Sequence, residues 1–189
     1  MRGLAEAFQT LMGELDRLGI SFLVGGSVAS GTHGLPRQTN DIDILAAIEP
    51  GSVSKFVRVL SKSFYVDADS IRQAIELRRS FNVIHLASAW KFDIFVAGDS
   101  DFSHSELLRR RMATSGITGL ESIEFPVSSA EDTILAKLVW FRKGGEISDR
   151  QWHDLLGIVR VQAGRLDREY LAIWAQRLGV ADLLSRLMP

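Results

Sequence analysis

An α/β core followed by a helical bundle is the fold class that this sequence predicts, and three observations carry the prediction. Over residues 1–127, short apolar runs of strand character alternate with runs of helical spacing. From residue 128 onward only helical patterns follow. The chain has 189 residues and is 46% hydrophobic, enough to bury a sizeable core. We therefore read an α/β unit over 1–127 and a helical unit over 128–189.

The elements follow in order. Leu4, Phe8, Leu11, Leu15 and Leu18 recur at helical spacing and Gly19 ends the run, so 3–18 reads as an amphipathic helix. Residues 20–24 (ISFLV) read as a buried strand stopped by Gly25-Gly26, and a short helix begins at Ser27. Asp41 to Ala46 is a second strand. Pro50-Gly51 leads into a helix with Val53, Phe56, Val57 and Leu60 on one face, and 70–79 is a further helix. The runs 81–86 (FNVIHL) and 91–97 (KFDIFVA) flank a tight ASAW turn and read as a hairpin. Ser103 with Glu106, Ser128 with Glu131, and Ser148 with Gln151 are capping boxes that head three helices, and 123–127 is a short strand.

Composition narrows the function classes. A net charge of −1 argues against a basic nucleic-acid coat. The absence of cysteine removes disulfides and thiolate zinc sites. The N-terminal segment is interrupted by charges every few residues, unlike a signal peptide, and no apolar run approaches the roughly 20 residues of a membrane span. A cytoplasmic protein without a membrane partner is the expectation.

The segment VGGSVASGTHGLPRQTNDIDIL, residues 24–45, holds the chemistry. Side chains two apart on a strand share a face, roughly 6.5–7 Å from each other. Asp41 and Asp43 therefore share one side, with Ile42 and Ile44 on the other. Adjacent like charges repel and are costly where water is scarce, and a divalent cation offsets that directly. Asp93, in KFDIF, has the same setting, and an adjacent strand would bring three carboxylates together, enough for one or two Mg²⁺ ions. Upstream, a strand followed by Gly-Gly-Ser and a helix start gathers free backbone N–H groups, an anion site. A phosphate nest beside a carboxylate pair is what a nucleoside triphosphate (NTP) with Mg²⁺ requires.

G-G-S, then D-x-D, then a later strand aspartate resembles the nucleotidyltransferase superfamily, the DNA polymerase β-like fold. GLPRQTNDIDIL is similar to the AbiEii-type toxin nucleotidyltransferases and their uncharacterised bacterial relatives. So is KLVWFRKGGEISDRQWHDLLGI, with Lys137, Leu138, Arg142 and Asp154 at the matching places. The resemblance covers most of residues 20–160 and implies a mixed-sheet core. It implies that Asp41, Asp43 and Asp93 bind Mg²⁺ or Mn²⁺ and are catalytic, with Asp93 helping to deprotonate an acceptor hydroxyl. Gly25, Gly26 and Ser27 would hold the β and γ phosphates. Arg37 either clamps a phosphate or is a surface loop charge, and Thr39 either anchors the loop or bonds an oxygen. The acceptor is left open among a tRNA 3′ end, a protein hydroxyl and a small molecule, and an antitoxin partner is implied by resemblance alone. The alternatives are a non-catalytic binding or sensor module on the same fold, and another Mg²⁺-dependent phosphoryl-transfer enzyme such as a nuclease.

On a helical wheel Lys137 lies at the border of the Ile134, Leu135, Leu138 and Val139 face, where it reads as a triphosphate contact, and Arg142 projects onto that face. Asp154 falls away from the Trp152, Leu155, Leu156 and Val159 face and either faces the first domain or is solvated. The four histidines show no metal-ligand spacing. Trp140, Phe141, Trp152, Tyr170 and Trp174 read as packing residues, and Arg78-Arg79 and Arg109-Arg110-Arg111 as solvated helix faces.

Overall fold

The computed structural model describes residues 3–39 and 41–189. In chain order the elements are α1 (Leu4–Arg17), β1 (Phe22–Val24), α2 (Gly26–His33), β2 (Asp41–Ala46), a 3₁₀ turn (Pro50–Ser52), α3 (Val53–Leu60), β3 (Phe64–Tyr65), α4 (Ala68–Leu77), β4 (Ser80–His85) and β5 (Lys91–Val96). There follow α5 (Asp101–Arg109), β6 (Arg111–Ala113), β7 (Phe125–Val127), α6 (Ala130–Lys143), α7 (Asp149–Val161), α8 (Arg168–Arg177) and α9 (Ala181–Leu187). The strands form one mixed sheet in the order β3-β4-β5-β2-β1-β7-β6. β2 runs parallel to β5 and antiparallel to β1, while β1 runs parallel to β7.

Alternation along β2 and β5 decides which face does what. Ile42, Ile44, Phe92 and Ile94 are buried in a core shared with α1, α3 and α4. The alternate residues, the aspartates among them, face the side where the later helices lie. α1 shows how local signals end an element: Gly19, at φ +70°, bonds its N–H to the Asp16 carbonyl while Ile20 bonds to Leu15. That is the paired closure a left-handed residue permits, and it turns the chain directly into β1.

A second apolar cluster gathers Ile134, Leu138, Phe141, Leu155, Ile158, Leu171 and their neighbours from α6 to α9. Helix α2 touches both sides, with Val28 and Ala29 in the first cluster and its outer face packed on α6 and α7. Among the described residues no helix is long and apolar enough to cross a membrane.

Two of the three capping boxes are displaced. α5 begins at Asp101 with Ser100 as its cap, accepting from the Ser103 N–H at 3.2 Å, so Ser103 lies inside the first turn. α6 is capped by Ser129, whose Oγ accepts the Asp132 N–H at 3.1 Å and donates to Asp132 Oδ2 at 2.7 Å. Ser128 lies one residue earlier, with its N–H still bonded to the sheet at the Val24 carbonyl. The cap at Ser148 forms where it was read, its Oγ accepting the Gln151 N–H at 3.4 Å. β3 and β6 escaped the sequence reading because two or three residues are too few to show a period of two. The 123–127 strand shortens to Phe125–Val127.

Phe8 is fully buried, with its ring edge-on to Phe125 at 5.1 Å and stacked on Phe92 at 6.4 Å. Phe8→Ala should therefore cost about 3–5 kcal/mol of unfolding free energy. Urea denaturation checks this, and a loss below about 1 kcal/mol would mean that α1 does not hold the sheet as described.

Candidate active site

The parallel register sets Asp43 directly opposite Asp93, and Asp41 opposite Lys91. Three carboxylates thus reach one face of two neighbouring strands. The turn after β1 lies against them. Gly25 donates its N–H to the Asp43 carbonyl at 2.9 Å. Gly26 has φ +54°, and a Cβ there would sit 1.7 Å from Asp43 Oδ2. Only glycine satisfies both the left-handed backbone and this approach.

The loop between α2 and β2 is tied by hydroxyls. Ser27 Oγ donates to Thr39 Oγ1 at 2.8 Å, and Thr39 Oγ1 faces both the Asp41 carbonyl and Asp41 Oδ1 at 3.0 Å. Thr39 thus ties the loop to α2 and β2 while lining the cleft. Arg37 is no free surface charge. Its Nε and Nη2 donate to the two oxygens of Asp154 at 3.0 and 3.2 Å. Lys137 Nζ donates to the same carboxylate at 2.9 Å. Burial pushes the Asp154 carboxyl up, but the hydrogen bonds and charges of Arg37 and Lys137 outweigh that and hold it below the usual carboxylate range.

Of the two readings of Asp154, the structure bears out the one in which it faces the first half of the chain, buried between two cations. The wheel could not show this, because the Arg37 that meets Asp154 comes from the other half of the chain. The reading of Arg142 is corrected. It lies outside the packed face and ties α6 to Asp182 at 2.5 Å, to Glu146 and to the Gly179 carbonyl. Lys137 is the buried cation of that helix.

Gly25, Gly26 and Ser27 from the turn, Arg37 and Thr39 from the loop, Asp41 and Asp43 from β2 and Lys137 from α6 all line one cleft of about 960 Å³. Asp93 sits beside it with Oδ2 held by Lys91 Nζ at 3.0 Å. Among the described residues no three acidic or imidazole groups are gathered tightly enough to hold an ion as they stand. The donor chemistry nevertheless suits a hard cation. Burial, and then the charges of Asp41 and Asp93, push the Asp43 carboxyl up to about 6 against the counter-effect of Lys137 and Lys91. A group so raised by like charge is one that a bound cation would relieve.

Two lining residues had been read only as helix caps. Glu106 is 8% exposed, and burial followed by the charge of Asp132 pushes its carboxyl up to about 8. Ser128 is 2% exposed and its Oγ has no hydrogen-bond partner among the described residues. Trp140, read as core, is half exposed at the cleft lip with its ring edge toward Phe95 at 5.8 Å. Arg109, read as solvated, stacks over Tyr170 at 3.9 Å and bonds Glu131 and Asp132. Tyr170 donates to Asp132 Oδ1 at 2.6 Å.

The architecture matches solved structures of nucleotidyltransferases. The antibiotic-resistance factor ANT(2'')-Ia superposes at a TM-score of 0.56 over 96% of this chain and 95% of that one, with 15% identity. An antigenic nucleotidyltransferase-like protein from Paracoccidioides brasiliensis matches at 0.51 over 99% and 93%, with 16% identity. The lincosamide antibiotic adenylyltransferase LnuA, lincomycin-bound, matches at 0.50 over 84% and 96%, with 12% identity. No protein-family model and no curated protein matches the sequence. The chain thus has the nucleotidyltransferase fold, a mixed-sheet α/β architecture.

The raised Asp43 carboxyl has a definite sign. Between pH 3.8 and about 6 the folded state binds more protons at Asp43 than the unfolded state, so this residue's contribution to stability falls as pH rises and is most unfavourable above about 6. Without divalent metal, Asp43→Asn should raise the unfolding free energy by about 1–3 kcal/mol at pH 7.5 and by little at pH 4. Denaturant melts at both pH values check this, and a destabilised variant at pH 7.5 would show that the carboxylate has a structural role. Gly26→Ala should go the other way, losing about 1–3 kcal/mol through backbone strain and displacement of Asp43.

Proposed function

We propose that this chain is a magnesium- or manganese-dependent nucleotidyltransferase of the cytoplasm, which moves a nucleoside monophosphate from an NTP to a hydroxyl. The observation that carries the reading is the seating of a left-handed Gly-Gly-Ser turn directly on one member of a paired strand carboxylate. Phosphate-binding backbone and metal-binding carboxylates are then a single unit.

Each residue has a role in this reading. Asp41, Asp43 and Asp93 would hold the divalent cation, which when bound neutralises phosphate charge and aligns the α phosphate for in-line attack. The N–H groups of Gly26 and Ser27 at the start of α2 take the β and γ phosphates, while Gly25, whose N–H is held by the Asp43 carbonyl, shapes the turn and does not bind phosphate. Lys137, steadied by Asp154, supplies positive charge from the helical side, and Arg37 offers a second cation from the loop. Asp93, once released by Lys91, takes the proton of the attacking hydroxyl. The hydroxyl oxygen bonds to the α phosphorus, the bond to the bridging oxygen breaks, and pyrophosphate leaves. The acceptor is an RNA end, a protein hydroxyl or a small molecule, and the AbiEii resemblance adds the role of a toxin beside an antitoxin partner. Retention of all three aspartates favours the enzyme over a non-catalytic binding or sensor module.

The test is calorimetric titration of Mg·ATP and the other Mg·NTPs, followed by transfer of label from α-labelled nucleotide to an acceptor in RNA and protein extracts. Binding by the wild type, with transfer lost in Asp43→Asn, is the expected result. No NTP binding in the presence of metal would sink the proposal. Lys137→Ala should weaken NTP binding roughly ten- to a hundredfold, the worth of one charge-assisted phosphate contact. It should also lower the melting temperature, because it leaves buried Asp154 with Arg37 alone. Unchanged nucleotide affinity would mean that α6 does not reach the triphosphate.

A further inference from the structure

The outer edge of β4 is open along part of its length. His85 donates its N–H to the Trp90 carbonyl, and Val96 donates to the Arg79 carbonyl. The odd-numbered residues of β4 therefore turn their backbone groups toward β5, and the even-numbered ones turn away from it. On that outer side Leu86 donates its N–H to the Ser63 carbonyl, and Ile84 pairs with Tyr65 of β3. There β3 ends, and the chain leaves the sheet through Asp67 into α4. The backbone N–H and C=O groups of Ser80 and Asn82 are left facing outward with no partner among the described residues.

This edge borders a notch of about 390 Å³, walled by Gln73 and Ala74 of α4 and sharing no lining residue with the cleft. Its two ends carry opposite charges. Arg79 stands at the Ser80 end, exposed and without an ion pair among the described residues, since Asp99 is held by its neighbour Arg78. Asp67 stands at the Asn82 end, two residues beyond the pairing of Tyr65 with Ile84, and is exposed. A free sheet edge is a template for one more strand. A strand antiparallel to β4 follows the direction of β3 and runs from Asp67 toward Arg79, so its carboxyl end meets the arginine. A parallel strand would set its amino end against Arg79 and its carboxyl end against Asp67.

We propose that this notch takes the extended C-terminal tail of a partner polypeptide, added to the sheet antiparallel to β4. The main chain of Ser80 and Asn82 supplies the ladder hydrogen bonds, which set affinity without reading sequence. Arg79 takes the terminal carboxylate, for which its forked donors are suited. Asp67 favours a basic residue where the tail enters, beside the exposed ring of Tyr65. The notch admits a few residues of extended chain and no folded element. An internal segment would follow the same edge but bring no terminal charge to Arg79. The proposal does not rest on the nucleotidyl-transfer reading, because the notch and the cleft share no residue.

A pentapeptide array with free carboxyl ends, and its twin with amidated ends, decide it. The strongest binders are resynthesised in both forms and titrated by calorimetry. The wild type should select carboxyl-ended peptides with Lys or Arg in the first two positions, and bind each roughly tenfold more tightly than its amide, the worth of one charge-assisted hydrogen bond. Arg79→Ala should abolish that preference, and Arg79→Lys should keep part of it. Asp67→Asn, which still caps α4, should remove the basic preference alone. Ser80→Pro deletes one outward N–H at the first position of the strand, where proline is tolerated, and should weaken acid and amide alike. If that variant does not fold, Arg79→Ala decides the matter. No peptide bound overturns the proposal, and so does a carboxyl preference that survives Arg79→Ala. Equal binding of acid and amide would make the occupant an internal segment, and a dimer in sedimentation that Ser80→Pro dissolves would make it a second copy of this chain. Either result overturns the tail.

Discussion

Parallel pairing of β2 with β5 brings Asp43 opposite Asp93, and this like-charge juxtaposition constrains the surrounding structure. The strands accept it because the residues between the aspartates, Ile42, Ile44, Phe92 and Ile94, are buried on the other face. A slip of one residue in register would turn the carboxylates into the core and the isoleucines out of it, so hydrophobic burial holds the charged face in place. Burial of a charge, and then repulsion among the carboxylates, is the cost, and both raise the Asp43 carboxyl. The neighbouring cations moderate it without cancelling it: Lys91 on Asp93, and Lys137 from the facing helix.

Asp154 connects this strained face to the helices. It collects Arg37 from the loop before β2 and Lys137 from α6, so a single carboxylate on α7 sets where two cations stand over the cleft. Helix α2 supports the same junction, with Gln162 Nε2 donating to the His33 carbonyl at 2.7 Å and His33 Nε2 donating to the Ser128 carbonyl at 2.6 Å. A phosphate entering the cleft competes with Asp154 for the cations, since both offer oxygens to the same donors. The junction therefore ties the loop before β2 to α6 and α7 beside the cleft.

Most elements, and the core of the candidate site, were legible in the sequence. Asp41–Ala46 was read with its observed limits because strict alternation over six residues is a strong local signal. The Gly-Gly-Ser turn was legible because a glycine pair between a strand and a helix start has few other uses. Displaced caps mark where that kind of reading stops. Ser129, not Ser128, caps α6, and Ser128 still bonds Val24 in the sheet, more than a hundred residues away in the chain. The same holds for Arg142 and Lys137. A wheel ranks positions around one helix axis but does not show what stands opposite, and here Lys137 faces a buried carboxylate while Arg142 reaches α9.

The sequence by itself determined the strands that carry the aspartates, the face on which each aspartate lies and the turn beside them, because periodicity and glycine stereochemistry act over a few residues. Only the tertiary structure decided that Asp43 meets Asp93 across a parallel ladder, that Asp154 gathers Arg37 and Lys137, and that, among the described residues, the buried Ser128 Oγ is left without a partner. Those are pairings, or missing pairings, between groups far apart in the chain. They follow from which surfaces pack together, and packing is a property of the whole fold that no local pattern encodes.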